Sequence, residues 1–496
     1  MRATDELLGQ YRSIAGLHAA MGLMQWDRQV LMPPGGGRAR TEHVTRLALM
    51  EHRWWTADAT QRLLERAEQE SEPDSDDCAA LRVLRREVAH RTALPEELVQ
   101  RKTKLGADGY EAWKRAKAEN NFPLLEPFLG ELFEIAAETS ALLDPKAAHP
   151  YDPLIDQFDE GNTFEEASRL LNTIKGPISE LLAEIKANGR PVDDSALRGV
   201  TDQLALRDFA EKAAARVGFD FTRGRLDVCA NAFCSGSTCY DVRMTTRASD
   251  HIKGIVSSSL HEMGHGLYEQ GDRAEWTDTP LSGGASLAIH ESQSRLWENI
   301  VGRSRPFWEC FFGDLQARQP KLAGLSAGEF WRGINKVEPD FIRVGADELS
   351  YNLHIVIRFE LEVEFVTGKL VAKDLPEAWN EKYRTYLGIV PPSDALGCLQ
   401  DVHWSRGSVG YFPTYALGNI IGGAIWKALG ADLGDVDARM TFGDFSGILG
   451  WLTEKIYRHG QRYTPRELLP RFLPSKPDGS EWLGYAVTKY RALYEL

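Results

Sequence analysis

The chain has 496 residues, 43% hydrophobic and 26% charged, enough for a large core and, by length, for more than one domain. With 58 basic against 72 acidic residues the formal net charge is −14, so the basic footprint that nucleic acid demands is missing. No run approaches the roughly 18 apolar residues of a membrane span, and six cysteines do not make a disulfide framework at this length.

Met1 to Leu31 is a periodic apolar segment that stops at Met32-Pro33-Pro34-Gly35-Gly36-Gly37, where two prolines and three glycines end a helix. Asp5, Glu6 and Asp27 interrupt it, so it does not read as a secretory leader, and a cytoplasmic protein is expected. Arg40 to Glu70 reads as a second long helix. Glu72 to Asp77 supplies a turn and an N-cap, and Pro95-Glu96-Glu97 opens a helix that runs through Trp113 towards Asn120. Further helices follow near Leu125 to Leu143, Phe164 to Asn188 and Leu206 to Val217. At Gly218 the period changes. Phe219-Asp220-Phe221, Leu226-Asp227-Val228 and Val242 to Thr246 alternate and read as strands. Cys229, Cys234 and Cys239 lie five apart, wider than paired zinc-ribbon ligands, and read as reduced thiols. Helix then returns at Asp250 to Gln270, Ala285 to Val301, Ala346 to Thr367, Leu375 to Tyr386, Tyr415 to Leu429 and Trp482 to Leu496. No repeat or Pro/Ser-rich linker divides the chain. The expectation is one domain over 1–496, mainly α, with a small β-sheet beside the helix that starts at Asp250.

That helix carries Ile252, Ile255, Val256, Leu260, Met263 and Leu267 at steps of three and four, and Gly271 ends it. Within it stands His261-Glu262-Met263-Gly264-His265. Residues four apart share a helix face, so both imidazoles can reach one metal ion, while Glu262 is turned aside to hold a water. The plain alternative is two histidines satisfied by carboxylates on an ordinary helix. A catalytic zinc takes three protein ligands and keeps one open position. Glu291, 26 positions after His265, opens the next helix within Ala285 to Gln293 and completes a His₂Glu set; His290 is its rival.

Together, His261-Glu262-Met263-Gly264-His265 and His290-Glu291-Ser292-Gln293 resemble the carboxypeptidase Taq family of metallocarboxypeptidases. Asp241-Val242-Arg243-Met244-Thr245 is similar to its D-x-R-x-T signature, and Ile342 to Asp347 to its I-R-x-x-A-D. Gly397 to Trp404 is similar to G-x-x-Q-D-x-H-W, and Trp26-Asp27 and Met32-Pro33 add to the likeness. One departure stands out: the family's H-P-F segment, which with D-x-R-x-T lies at the closed end of its substrate groove, is Asn231-Ala232-Phe233 here. The resemblance implies a large helical domain with a deep groove. Residues 1–120 form a helical N-terminal part, a candidate cover for it, and 218–300 hold the sheet and the metal-binding helices.

On this reading one zinc per chain, with cobalt as the alternative ion, is held by His261, His265 and Glu291. Glu262 is the general base, and His403 with Tyr411 or Tyr415 supplies donors to the oxyanion. A free C-terminal carboxylate calls for arginine: Arg343 first, Arg243 second, with Asp241 and Thr245 beside it. Asp241 and Asp401 are candidates to orient the ligand histidines, with Gln400 next to Asp401. The partners are peptides with a free C-terminus, neither nucleic acid nor membrane, and the resemblance implies a homodimer. Two rivals stand beside this reading. One is a helical zinc oligopeptidase or dipeptidyl carboxypeptidase. The other is a non-catalytic peptide-binding protein with a lapsed site, for which Asn231-Ala232 argues and an intact Glu262 argues against.

Overall fold

Long amphipathic segments become helices in the computed structural model, which describes residues 2–200 and 202–496. The first runs Ala3–Val30 and ends before the Pro-Gly run. The expected helix from Arg40 to Glu70 is instead two, Gly37–Thr56 and Asp58–Glu70, because Ala57 is extended (φ −69°, ψ 133°). Trp55, before the break, and Leu63 and Leu64, after it, pack into one cluster with Leu7, Ile14 and Leu84. Among the helices the sequence did not signal are Arg305–Arg318, Ala327–Ile334, Val436–Thr441 and Ser446–Lys455. In the first of them Phe307, Trp308, Phe311 and Phe312 are all buried, which blurs a one-face period.

Three strands form one sheet: β1 (Gly224–Val228), β2 (Cys234–Thr238) and β3 (Asp241–Thr246), ordered β1-β3-β2. β3 pairs parallel with β1 and antiparallel with β2. β2, with the sequence Cys-Ser-Gly-Ser-Thr, has no apolar alternation and gave no strand signal. Phe219-Asp220-Phe221 is not a strand. Asp220 accepts from the backbone and hydroxyl of Thr222 and from Arg223, which closes a turn there.

The chain divides into two compact units, each assembled from separate segments. One joins the segment ending at Thr92 with Asp193–Ile334 and Ile425–Ser475. The other joins Ala93–Val192, Asn335–Ala424 and Lys476–Leu496. No composition shift marks the boundaries, and the one after Ala424 falls inside the Pro413–Leu433 helix. The first unit contains the sheet and the Ile252–Gln270 helix, with Ile255, Met263, Ile289 and Trp297 buried. In the second, the Glu348–Val366 helix is buried along nearly its whole length, with Leu353, Ile357 and Leu361 fully so. Among the described residues no helix is long and apolar enough to cross a membrane.

Candidate metal centre

The Ile252–Gln270 helix starts at His251, whose ring accepts from the Lys253 amide, and ends at Gly271. The Leu287–Arg295 helix starts at Ser286, whose hydroxyl accepts from the Ile289 amide. The two pack closely because residue 264 is glycine. A Cβ there would lie 2.6 Å from Ser294 Cα and 2.7 Å from the Gln293 carbonyl. This contact brings Glu291 to the histidine face. Its Oε2 is 3.6 Å from His261 Nε2 and 3.4 Å from His265 Nε2.

The donor set fits a metal ion. One atom each of His261, His265 and Glu291 lies within 4.8 Å of the others, and this is the one such group found among the described residues. Two ligands bound at about 2.1 Å in tetrahedral geometry stand about 3.4 Å apart, close to the spacings observed.

The hydrogen bonds behind the histidines fix which nitrogen faces the site. His261 Nδ1 is 3.0 Å from Glu298 Oε2; a carboxylate only accepts, so Nδ1 carries a proton and Nε2 is the nitrogen turned to the site. His265 is set by a relay. Glu269 Oε1 accepts from His290 Nε2 at 2.8 Å, so His290 Nδ1 accepts from His265 Nδ1 at 2.5 Å. His265 Nε2 is the free donor. His290, the rival ligand, therefore stands behind His265 and not in the donor set.

Glu298 lies on a π-helical turn, Leu296–Val301, that extends the Glu291 helix. Arg295 binds both Glu291 (2.7 Å) and Glu298 (3.1 Å), and Arg303 binds Glu298 (2.8 Å). Burial alone would raise both carboxyls. The Arg295 guanidinium with His261 and His265 holds Glu291 far below the usual range, and Arg295 and Arg303 bring Glu298 down to about 2. Burial pushes His265 down to about 3, which keeps its imidazole neutral, as a metal ligand must be. Glu262, 5% exposed, is pushed the other way, up to about 7, by burial and by Glu291 and Glu298. A fully buried leucine or phenylalanine stabilises a fold by about 1.5–3 kcal/mol, whereas charges cost free energy to desolvate. Glu291, Arg295 and Glu298, each with a side chain no more than 11% exposed, thus mark a site kept for chemistry.

Glu298, Arg295 and Glu269 were missed from the sequence. Glu269 left a trace, one turn further along the His261–His265 stripe; Arg295 and Glu298 stand among the polar residues His290, Ser292, Gln293 and Ser294, where spacing singles out neither.

Other expected residues have different surroundings. Asp241 does not orient a ligand histidine; it binds Arg243 through two hydrogen bonds of 2.9 and 3.0 Å. Arg243 and Arg225 have their guanidinium carbons 4.4 and 4.9 Å from the Trp26 ring centroid, which gives the Trp26 signature a physical role. Thr245 is fully buried, and its hydroxyl exchanges hydrogen bonds with the Phe233 backbone, so it braces the Asn231-Ala232-Phe233 loop. All six cysteines are free thiols.

In the second unit Asp401 likewise binds arginine and not histidine: Arg343 at 2.8 Å and Arg358 at 2.6 Å. Arg343, 6% exposed, also donates to Tyr351, while Gln400 accepts from the Arg343 amide and donates to the Phe341 carbonyl. His403 sits with Tyr411 and Tyr415 in a ring cluster, with centroids 5.7 and 6.5 Å away. Burial pushes its imidazole down to about 4, so it is neutral near pH 7.

Two half-buried histidines and an ionised glutamate facing one point, with a second glutamate beside them, make the arrangement of a metal-dependent peptidase. Comparison with known proteins makes the class specific. A family model described as carboxypeptidase Taq (M32) metallopeptidase matches residues 6–490, and the chain belongs to that family. It is 36% identical to thermostable carboxypeptidase 1 of Thermus thermophilus over 99% of both chains, and 33% identical to carboxypeptidase 1 of Bacillus subtilis over 99% of this chain and 98% of that one. Among solved structures, the M32 carboxypeptidase of Deinococcus radiodurans superposes with a TM-score of 0.96 at 36% identity, covering 100% of both chains. The Pyrococcus furiosus carboxypeptidase gives 0.96 at 32% identity, covering 99% of both.

Proposed function

We propose that this metallopeptidase is a zinc carboxypeptidase that removes single C-terminal residues from peptides. The observation that carries the reading is the triad itself: His261, His265 and Glu291 with donor spacings suited to one small tetrahedral ion, and Glu262 beside them. Cobalt is the alternative ion, since the same nitrogen and oxygen donors suit it. A bound ion of this kind lowers the pKa of a water it holds to about 7 and polarises the substrate carbonyl. Glu262 accepts a proton from the attacking water, for which a carboxyl raised to about 7 is matched, and passes it to the leaving amine. His403, neutral and next to Tyr411 and Tyr415, donates to the oxyanion.

For the substrate carboxylate Arg243 is favoured over Arg343. The Arg243 side chain keeps 20% exposure, whereas Arg343 keeps 7% and is bound by both Asp401 and Tyr351. The relatives are named carboxypeptidases, which supports exopeptidase action, and the family resemblance supports a homodimer.

The test is mass spectrometry of a peptide digest, with and without chelator. A ladder shortened by one residue at a time from the C-terminus, abolished by chelator and restored by zinc, is expected. Losses of two residues would identify a dipeptidyl carboxypeptidase. Bound metal without hydrolysis would identify a binding protein.

A further inference from the structure

Glu362 lies on the Glu348–Val366 helix and is fully buried. Its carboxylate accepts three hydrogen bonds. Oε2 takes the Tyr151 hydroxyl at 2.5 Å and the Gly410 amide at 3.0 Å, and Oε1 takes the Trp404 indole at 2.7 Å. Two of these donors flank residues of the ring cluster: Trp404 follows His403, and Gly410 precedes Tyr411. One carboxylate therefore grips both ends of the 403–411 loop.

The loop is pressed hard against its support. Gly410 has φ +92°, and a Cβ on it would lie 2.4 Å from the Leu154 carbonyl, close to Tyr151 in the chain. Only a carboxylate presents acceptors at both tips. An amide has one acceptor, and its NH₂ would face a donor. Burial pushes Glu362 up to about 7, so keeping a carboxyl here costs free energy that an apolar residue would not. Packing alone does not explain it; fixing two separate points of the loop does.

We propose that Glu362 is a positioning residue for the peptidase reaction, holding His403 and Tyr411 in one arrangement by tethering Trp404 and Gly410. The proposal rests on the reading above that His403 and Tyr411 meet the reacting carbonyl. Displacing a catalytic group by about 1 Å costs on the order of 100-fold in rate. Glu362→Gln is therefore expected to lower kcat by about 10- to 100-fold, with KM within about twofold and metal content unchanged. A general weakening of the fold would not give that split.

The deciding experiment is a double-mutant cycle on the metal-loaded full chain. If Glu362 acts through the ring cluster, His403→Ala combined with Glu362→Gln is no slower than His403→Ala alone. Should Glu362→Gln fail to fold, Tyr151→Phe removes one donor and keeps the carboxylate, and its smaller kcat loss is expected to vanish in the His403→Ala background in the same way. Additive losses, or full activity in both Glu362→Gln and Tyr151→Phe, would overturn the proposal. If neither His403→Ala nor Tyr411→Phe slows turnover, the underlying reading of those two residues fails, and this proposal with it.

Discussion

Glu298 places a carboxylate oxygen 3.0 Å from Nδ1 of His261, on the nitrogen opposite the one that faces Glu291. The bond orients the ring and raises the basicity of Nε2. Removing such a partner weakens metal binding by about 10- to 100-fold. Glu298→Gln is therefore expected to lose metal at chelator concentrations that leave the unaltered protein loaded, as read by competition with a chromogenic chelator. Equal retention would mean that the His261 tautomer does not depend on Glu298.

Glu262 contributes no donor atom to the triad, so its removal separates binding from chemistry. Glu262→Gln is expected to keep stoichiometric metal by elemental analysis and to lose about 10²- to 10⁴-fold in kcat. Glu291→Gln should do the opposite and lose the metal first. Activity surviving in Glu262→Gln would end its assignment as the base.

Asp401 is the shared counter-charge of two buried guanidiniums. Burial would raise its carboxyl, yet Arg343 and Arg358 hold it far below the usual range. A depressed carboxyl stabilises the fold above its unfolded pKa of about 3.9, and that stability fades only as pH falls through the folded value. Asp401→Asn strands both arginines and is expected to cost about 3–5 kcal/mol by denaturant unfolding. The sign of the shift makes this gap constant from pH 6 to 8 and smaller in acid. A gap that changed between pH 6 and 8 would contradict the pairing.

The metal triad was legible in the sequence because its three residues follow one helical period and one helix-to-helix return. The layer behind it was not. Which carboxylate meets His261 depends on the π-helical turn at Leu296–Val301, and a local rotation of this kind leaves no periodic trace. Thr245 and Asp401 stood in signatures read as functional, and their hydrogen bonds go to the Phe233 backbone and to two arginines; spacing alone does not say whether an acid faces a histidine or an arginine. β2 was invisible because the polar strand Cys234–Thr238 is specified by its pairing with β3 and not by its own pattern.

Substrate end recognition separates the two arginines. A hydrogen bond to a charged group contributes about 1.5–3 kcal/mol, or roughly 10- to 150-fold in a rate ratio. Arg243→Ala is expected to reduce the preference for free-acid over amidated peptides by that factor while leaving thermal stability nearly unchanged. Arg343→Ala leaves Asp401 short of one partner and should lower the melting temperature instead. If kinetics with matched acid and amide peptides showed the reverse, Arg343 would be the anchor.

Gly264 offers the sharpest test of how the fold builds the site. It is a middle residue of the H-E-x-x-H segment and binds nothing, yet a methyl group there would meet Ser294 Cα at 2.6 Å and the Gln293 carbonyl at 2.7 Å. Both are tied to the backbone of the Glu291 helix, so neither can swing aside as a side chain would. Alanine favours helix over glycine by about 1 kcal/mol, so Gly264→Ala strengthens its own helix locally. Overpacking costs about 1–3 kcal/mol in return, and relief requires the two helices to separate. Separation draws Glu291 Oε2 away from both Nε2 atoms, which it now meets at 3.4 and 3.6 Å. The expected result is a folded protein, by circular dichroism, whose metal affinity and turnover fall together and recover in part at high metal concentration. Unchanged metal affinity in Gly264→Ala would show that the close approach of the helices does not set the triad.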